Sequence, residues 1–262
     1  MNGLFVVGPP LFVVTGLTLV AAAGVAAAAR LGHGRAVLTA GVRAGVQLGL
    51  VSLVITHVAT RSWATALFVV VMYAVAAHTA SSRLDGARWA IVPLAGGSVP
   101  VVALLVGTGL VPPGGLTVIP VAGILVGGTM TATALCGRRC RDELRTRRGE
   151  VEAALALGFT ARQAALEICR PAAATALIPA LDQTRTVGLV TLPGAFVGML
   201  LGGATPAQAA IVQLVVLVAL LAAQSVAIAL TIEFAIRPAP AGERNRPGRG
   251  RSPRPGRRSR EV

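Results

Sequence analysis

Asp182 and Arg185 are the only charged residues in the stretch 171–205. Charged groups within apolar, membrane-length segments are costly and normally face a partner or a watery cavity. Three residues apart on a helix, the two share a face and can pair with each other, with the Thr184 and Thr186 hydroxyls nearby. Two uses stay open: a structural ion pair, or a carboxylate that attracts a hard metal cation in transit without holding it tightly. Cys136 and Cys140 stand at i, i+4 and could share a metal, but two thiols without a nearby histidine make a weak site. With Cys169 they read as reduced thiols. Met130 and Met199 read as packing residues, and His33, His57 and His78 are scattered. A membrane-embedded enzyme would need an intramembrane nucleophile or paired carboxylates, and the spans offer only the isolated Asp182 and Glu233. All 24 basic residues are arginine. Without lysine the chain cannot hold the Gly-x-x-x-x-Gly-Lys-Ser/Thr phosphate loop of a nucleotide hydrolase.

These residues sit in a chain built for a bilayer. Of 262 residues, 54% are hydrophobic and 13% charged, with a mean hydropathy of +0.74. A soluble domain carries about 25% charged residues. Uncharged or nearly uncharged runs at 4–29, 36–60, 62–80, 89–111 and 116–136 each approach or exceed the ~20 helical residues needed to cross a membrane. Arginines fall in alternate loops: Arg30 and Arg35, then Arg61 alone; Arg83 and Arg88, then none in 112–116; then six between Arg138 and Arg148. By the positive-inside rule the N-terminus is outside and the polar middle of the chain cytoplasmic.

As one helix, 171–205 would run ~50 Å, far beyond a ~30 Å hydrocarbon core. A break is expected at Leu192–Phe196, where Pro193 and Gly194 interrupt the ladder. Gly194 and Gly198 form a G-x-x-x-G pair that lets helices pack closely, the expected dimer or pore-lining face. A last span, 206–232, makes seven. The expected fold is thus all-α, a polytopic membrane protein with a permease domain over 1–236. The remainder, 237–262, holds nine arginines and two glutamates, half of the +14 net charge. Its Pro, Gly and Arg composition reads as a disordered cytoplasmic tail that fixes topology and touches anionic lipid, with no nucleic acid as partner.

The segment 137–171 is polar and helix-prone. "EAALALG" favours helix up to Gly158, which suits a turn. Thr160 can cap a second helix over "ARQAALEIC", and Pro171 then opens the next segment. This helix–turn–helix resembles the cytoplasmic EAA loop of ABC transporter permeases. Glu152, Ala153 and Ala154 are followed at the family's spacing by Gly158, Ile168 and Pro171, with Arg170 in place of the usual leucine. The resemblance implies that these residues couple the membrane domain to a separate ATPase.

A narrower resemblance covers residues 36–232. "VGLVTLPG" (Val187 to Gly194), Ala176 to Asp182, the Arg43, Ala44, Gln47, Leu48 start of the second span and "VIPVAGILVGGTM" (Val118 to Met130) are similar to the permease subunits of FetB-type iron-export ABC transporters. Those are related to plant aluminium-tolerance half-transporters. Gly128 stands where that family carries asparagine. The resemblance implies a homodimer in the cell membrane that moves a metal ion such as iron. It places ATP and Mg on a partner subunit and no cofactor in this chain. It also puts Gln47 among the path candidates with Asp182, Thr184, Arg185 and Thr186. Alternatives are a permease for another solute, such as a nucleotide sugar, and a membrane scaffold, which would not need the EAA spacing.

Overall fold

The computed structural model describes residues 8–237; the arginine-rich tail beyond Arg237 lies outside the described residues. Among the described residues ten α-helices run in order: α1 (Pro9–Ala28), α2 (Gly34–Ala59), α3 (Ser62–Arg83), α4 (Ile91–Gly107), α5 (Gly115–Thr146), α6 (Arg148–Ala156), α7 (Ala161–Ala174), α8 (Ile178–Thr186), α9 (Gly194–Leu201) and α10 (Pro206–Ala235). Among the described residues there is no strand, only an isolated bridge between Val187 and Thr191. Seven helical stretches are long and apolar enough to cross a membrane, with α7 and α8 joined as one, Ala161–Thr186. The all-α, seven-span architecture expected from the sequence is present.

Three boundaries differ from the sequence reading, each for a local reason. The fifth span does not stop at 136: α5 continues to Thr146, because the arginines and glutamate that follow are themselves good helix formers. Pro171 does not open the next segment. It lies inside α7, where it removes the backbone donor that would bond the Glu167 carbonyl. The helix tightens shortly afterwards into a 3-10 turn, Thr175–Leu177, before α8. The sixth span is therefore Ala161–Thr186 rather than 171–205. The break also precedes Pro193–Gly194. The backbone leaves the helix at Val187 and turns through Gly188, whose φ of +84° suits a residue without Cβ. Pro193 then caps α9.

The chain forms two compact units. The first holds the described residues up to Val71 together with Gly109–Pro120. In it α1 and α2 form a hairpin turned by Arg30 and Gly32, both at positive φ. Gly41 lies at that crossing, where a Cβ would stand 2.5 Å from a Leu19 methyl and displace it. Thr65 donates to the Val58 carbonyl at 3.0 Å, closing the α2–α3 turn. Most large apolar side chains of α1 and α2 are exposed, Phe12 at 72% and Leu48 at 70%, as expected of faces solvated by lipid.

The second unit holds Met72–Thr108 and the described residues from Val121 onward. Its spine is α10, which starts with a capping box between Thr205 and Gln208 and Pro206 in its first turn, the arrangement that satisfies exposed helix N–H groups. Its buried residues recur at helical spacing: Ala209, Gln213, Val216, Leu220, Ala223, Ala227, Thr231. The α4 helix packs closely on this stripe. A Cβ on Gly97 would sit 2.4 Å from the Ala223 carbonyl oxygen, and one on Gly96 would sit 2.6 Å from Leu230. Small residues permit this backbone approach, which supplies packing where lipid offers no hydrophobic driving force. Ser98, fully buried, donates to the Leu94 carbonyl at 2.6 Å and accepts from the Tyr73 hydroxyl at 2.9 Å.

Candidate functional site

Two parts of the second unit gather polar side chains: a polar end and a cavity. At the polar end, Arg141 on α5 bonds the Asp85 carboxylate and donates to the Leu84 carbonyl at 3.0 Å. Arg162 on α7 makes a forked pair with Glu233 near the end of α10, the closer bond at 2.7 Å. Trp89 stacks on Phe234 at 5.9 Å, and the Arg237 guanidinium lies 4.3 Å over the same ring. The 84–89 turn, the last turns of α5, the start of α7 and the end of α10 thus meet at one end of this unit. Two of the arginine-bearing segments assigned to one side by charge counting are among them.

From this end projects the α6–α7 hairpin. Gly158 has φ +90° and nothing within 4 Å of where a Cβ would be; its role is the left-handed turn itself. Thr160 caps α7 in a reciprocal box with Gln163. The turn and cap expected from the sequence stand where it places them. Glu152 is exposed and pairs with Arg148 at 3.0 Å. Ala153 faces solvent and Ala154 is half-buried, while Ile168 is buried on the opposite helix and Pro171 is exposed. At the tip three apolar side chains stand out, Leu155 at 43%, Leu157 at 79% and Phe159 at 49% exposure. The Arg147 guanidinium bonds Glu150 at 2.7 Å and holds its carboxyl below the usual value.

Behind the hairpin, Cys136, Cys140 and Cys169 are fully buried in one cluster with Ala132, Ala173, Ala176 and Ile228. The Cys136 and Cys140 sulfurs are 3.9 Å apart. Cys140 and Cys169 each direct the thiol to the other's carbonyl, at 3.9 and 3.8 Å. Among the described residues no group of three or more His, Cys, Asp or Glu is arranged to hold a metal ion. The thiols tie α5 to α7.

The cavity lies beyond this cluster, between α5, α8 and α10. It encloses about 330 Å³ and is lined by Gly127, Gly128 and Thr131 of α5, Ala180 and Gln183 of α8, and Gln224 of α10, among apolar neighbours. No ionisable side chain lines it. Asp182, Thr184, Arg185 and Thr186 are not in its wall. Asp182 and Arg185 are exposed and approach each other only to 3.9 Å. The Thr184 and Thr186 hydroxyls bond back to carbonyls one turn earlier, Ala180 and Asp182. Gln47 lines a separate shallow groove along α2 with Leu38, Thr39, Val42, Arg43 and Val46. Gly194 and Gly198 have open space where side chains would be. The residues the sequence reading missed are Gln183, Gln224 and Thr131. A signal existed for Gln224: it is one of few amides in an otherwise apolar, uncharged run.

The fold and these features define a multi-pass α-helical membrane protein. The chain belongs to the Uncharacterised protein family (UPF0014), whose family model matches residues 10–239. It is 37% identical over 203 residues to the UPF0014 membrane protein STAR2 of Oryza sativa subsp. japonica, covering 75% of this chain and 71% of that one. It is 48% identical over 99 residues to Protein ALUMINUM SENSITIVE 3 of Arabidopsis thaliana, 38% of this chain and 36% of the relative. It is also 36% identical over 110 residues to the Probable iron export permease protein FetB of Escherichia coli (strain K12), 42% of each chain. The resemblance read from the sequence is that of this family. No solved structure matches the chain.

Proposed function

We propose that this chain is the membrane-spanning subunit of an ABC transporter that exports a metal cation such as iron. Two copies form a homodimer in the cell membrane, with ATP and Mg bound on separate ATPase subunits. The observation that carries this reading is the α6–α7 hairpin: α7 is packed on the bundle, α6 buries no residue, and Glu152 and the apolar tip at Leu157 and Phe159 are exposed. Exposed apolar anchors rimmed by charge are the usual form of a docking surface. Support for the cargo comes from the similarity to the probable iron export permease FetB of Escherichia coli.

On this reading the polar end faces the cytoplasm, and the residues matching the EAA pattern, Glu152, Ala153, Ala154, Gly158, Ile168 and Pro171, transmit closure of the motors to the bundle. The cavity is the cargo station. It is open on the side of Gln183 and Thr131, both exposed, and the second copy covers that side; Gly194 and Gly198 lie at or near the same contact. Asp182, outside the cavity wall, is assigned on this reading to the path that leads to it.

The test is co-expression with an ABC ATPase, co-purification, and ATP-driven iron transport in proteoliposomes. Glu152→Lys, which reverses a charge facing the motor, and Gly158→Pro, which deforms the turn, are expected to leave the chain inserted while transport falls by tenfold or more. Full transport and full ATPase retention in both variants would overturn the assignment. Transport of a nucleotide sugar instead of iron would keep the class and replace the cargo.

A further inference from the structure

The only polar side chains in the largely apolar cavity wall are two amides and a hydroxyl, and this restricts the form in which a cation passes through it. Gln224 is 8% exposed and is admitted to the cavity by Gly128: a Cβ at 128 would stand 2.8 Å from its Nε2 atom and 2.3 Å from a Leu220 methyl. Gln183 enters from α8 and Thr131 from α5. The Thr131 hydroxyl donates to the Gly127 carbonyl at 3.0 Å, which leaves its oxygen free to accept. Each amide offers two donors and a carbonyl acceptor. The lining holds no carboxylate, imidazole or thiol.

A small multivalent cation gives up its inner waters reluctantly and is normally compensated by charged ligands. Neutral amide oxygens alone do not offset that loss, so inner-sphere capture in this cavity is unfavourable. Its volume, about 330 Å³, leaves room for on the order of ten waters at ~30 Å³ each, more than the roughly six of an octahedral aquo ion.

We propose that the cavity takes its cation in outer-sphere form, hydrated or chelated, with Gln224 and Gln183 hydrogen-bonding to the cation's own ligand shell and Gly128 setting the position of Gln224. The amides select by shell size and hydrogen-bond pattern, and bind weakly enough to release. This rests on the transporter reading above.

The probe is hexaamminecobalt(III), whose ligands do not exchange, so it binds only through its shell. In proteoliposomes containing the full chain and its ATPase, hexaamminecobalt(III) is expected to compete with iron(II) transport. Gln183→Leu and Gln224→Leu should each weaken that competition by about tenfold, and Gln224→Glu should strengthen it. Gly128→Ala, which keeps the amide but displaces it, should act like Gln224→Leu. Iron transport that is insensitive to hexaamminecobalt(III) would overturn the proposal and point to inner-sphere capture. If the wild-type complex moves no cation, the transporter reading fails first. Equilibrium binding of hexaamminecobalt(III) to the purified chain then decides the cavity alone: binding lost in Gln224→Leu supports the outer-sphere site, and no binding, or equal binding to both, overturns it.

Discussion

Thr160 and Gln163 form the best-defined polar contact of the hairpin, each side chain satisfying the other's backbone N–H. Replacing an N-cap threonine by alanine costs about 1 kcal/mol. Thr160→Ala is therefore expected to raise amide hydrogen exchange in the first turn of α7 about fivefold while leaving α10 unchanged. The nearby Glu150 carboxyl is held low by the Arg147 guanidinium. A lowered carboxyl pKa contributes stability above its unfolded value, and that contribution disappears as pH falls through the folded value. Protection of the α6 amides, exchange relative to the unstructured rate, should thus be full above the ordinary carboxylate value and fall off as pH drops from there through the folded value. In Arg147→Gln that pH-dependent loss should largely vanish, with α6 less protected at neutral pH already; the pair is exposed, so added salt should narrow the difference from the parent. Local chemistry of this kind was legible in the sequence, because a cap and a turn glycine act on residues three or four positions away. Gln183 and Gln224 were not legible as partners. Which apolar helices converge around an amide is decided by tertiary packing, and one-dimensional spacing does not report it.

Among the elements, α4 packs directly against the backbone of α10. Gly97→Val would drive side-chain atoms into the Ala223 carbonyl, 2.4 Å from the position of the first added carbon. A backbone neighbour cannot rotate away as a side chain can. The expected cost is about 1–3 kcal/mol or more, visible as a lower melting temperature and an aggregated fraction on gel filtration. Gly45→Ala, where the added Cβ would meet nothing within 4 Å, is the matched control. The apolar runs marked the spans because each is near bilayer length. Their ends were less legible: α5 runs on through Arg138 and Arg139 to Thr146, since arginine sustains a helix as well as it marks a membrane boundary. Pro171 likewise suggested a start, and tertiary packing of Ile168, Cys169 and Ala173 carries the helix past it.

For the whole molecule, charge asymmetry predicts sidedness. A reporter fused at residue 114 is expected to be active outside and one at 145 inside; the reverse pattern would invert the cytoplasmic assignment of the polar end. Sidedness matters because of the flaw in the long helix from Ala161 to Thr186. Below the 3-10 turn at Thr175–Leu177 lies the arm that starts beside Gly158; above it, the arm that ends beside Gln183. At 1.5 Å per residue these arms are about 21 Å and 12 Å long. If that turn acts as a fulcrum, a change of about 10° in the bend swings Gln183 by ~2 Å and the hairpin by nearly twice as much. Two ångströms is close to the difference between a hydrogen bond and a gap wide enough for water. Pro171, with no N–H to give, thus lies just before a turn that divides the helix into unequal arms; on the proposed transporter reading, a large stroke at the hairpin would become a small, fine adjustment at the cavity.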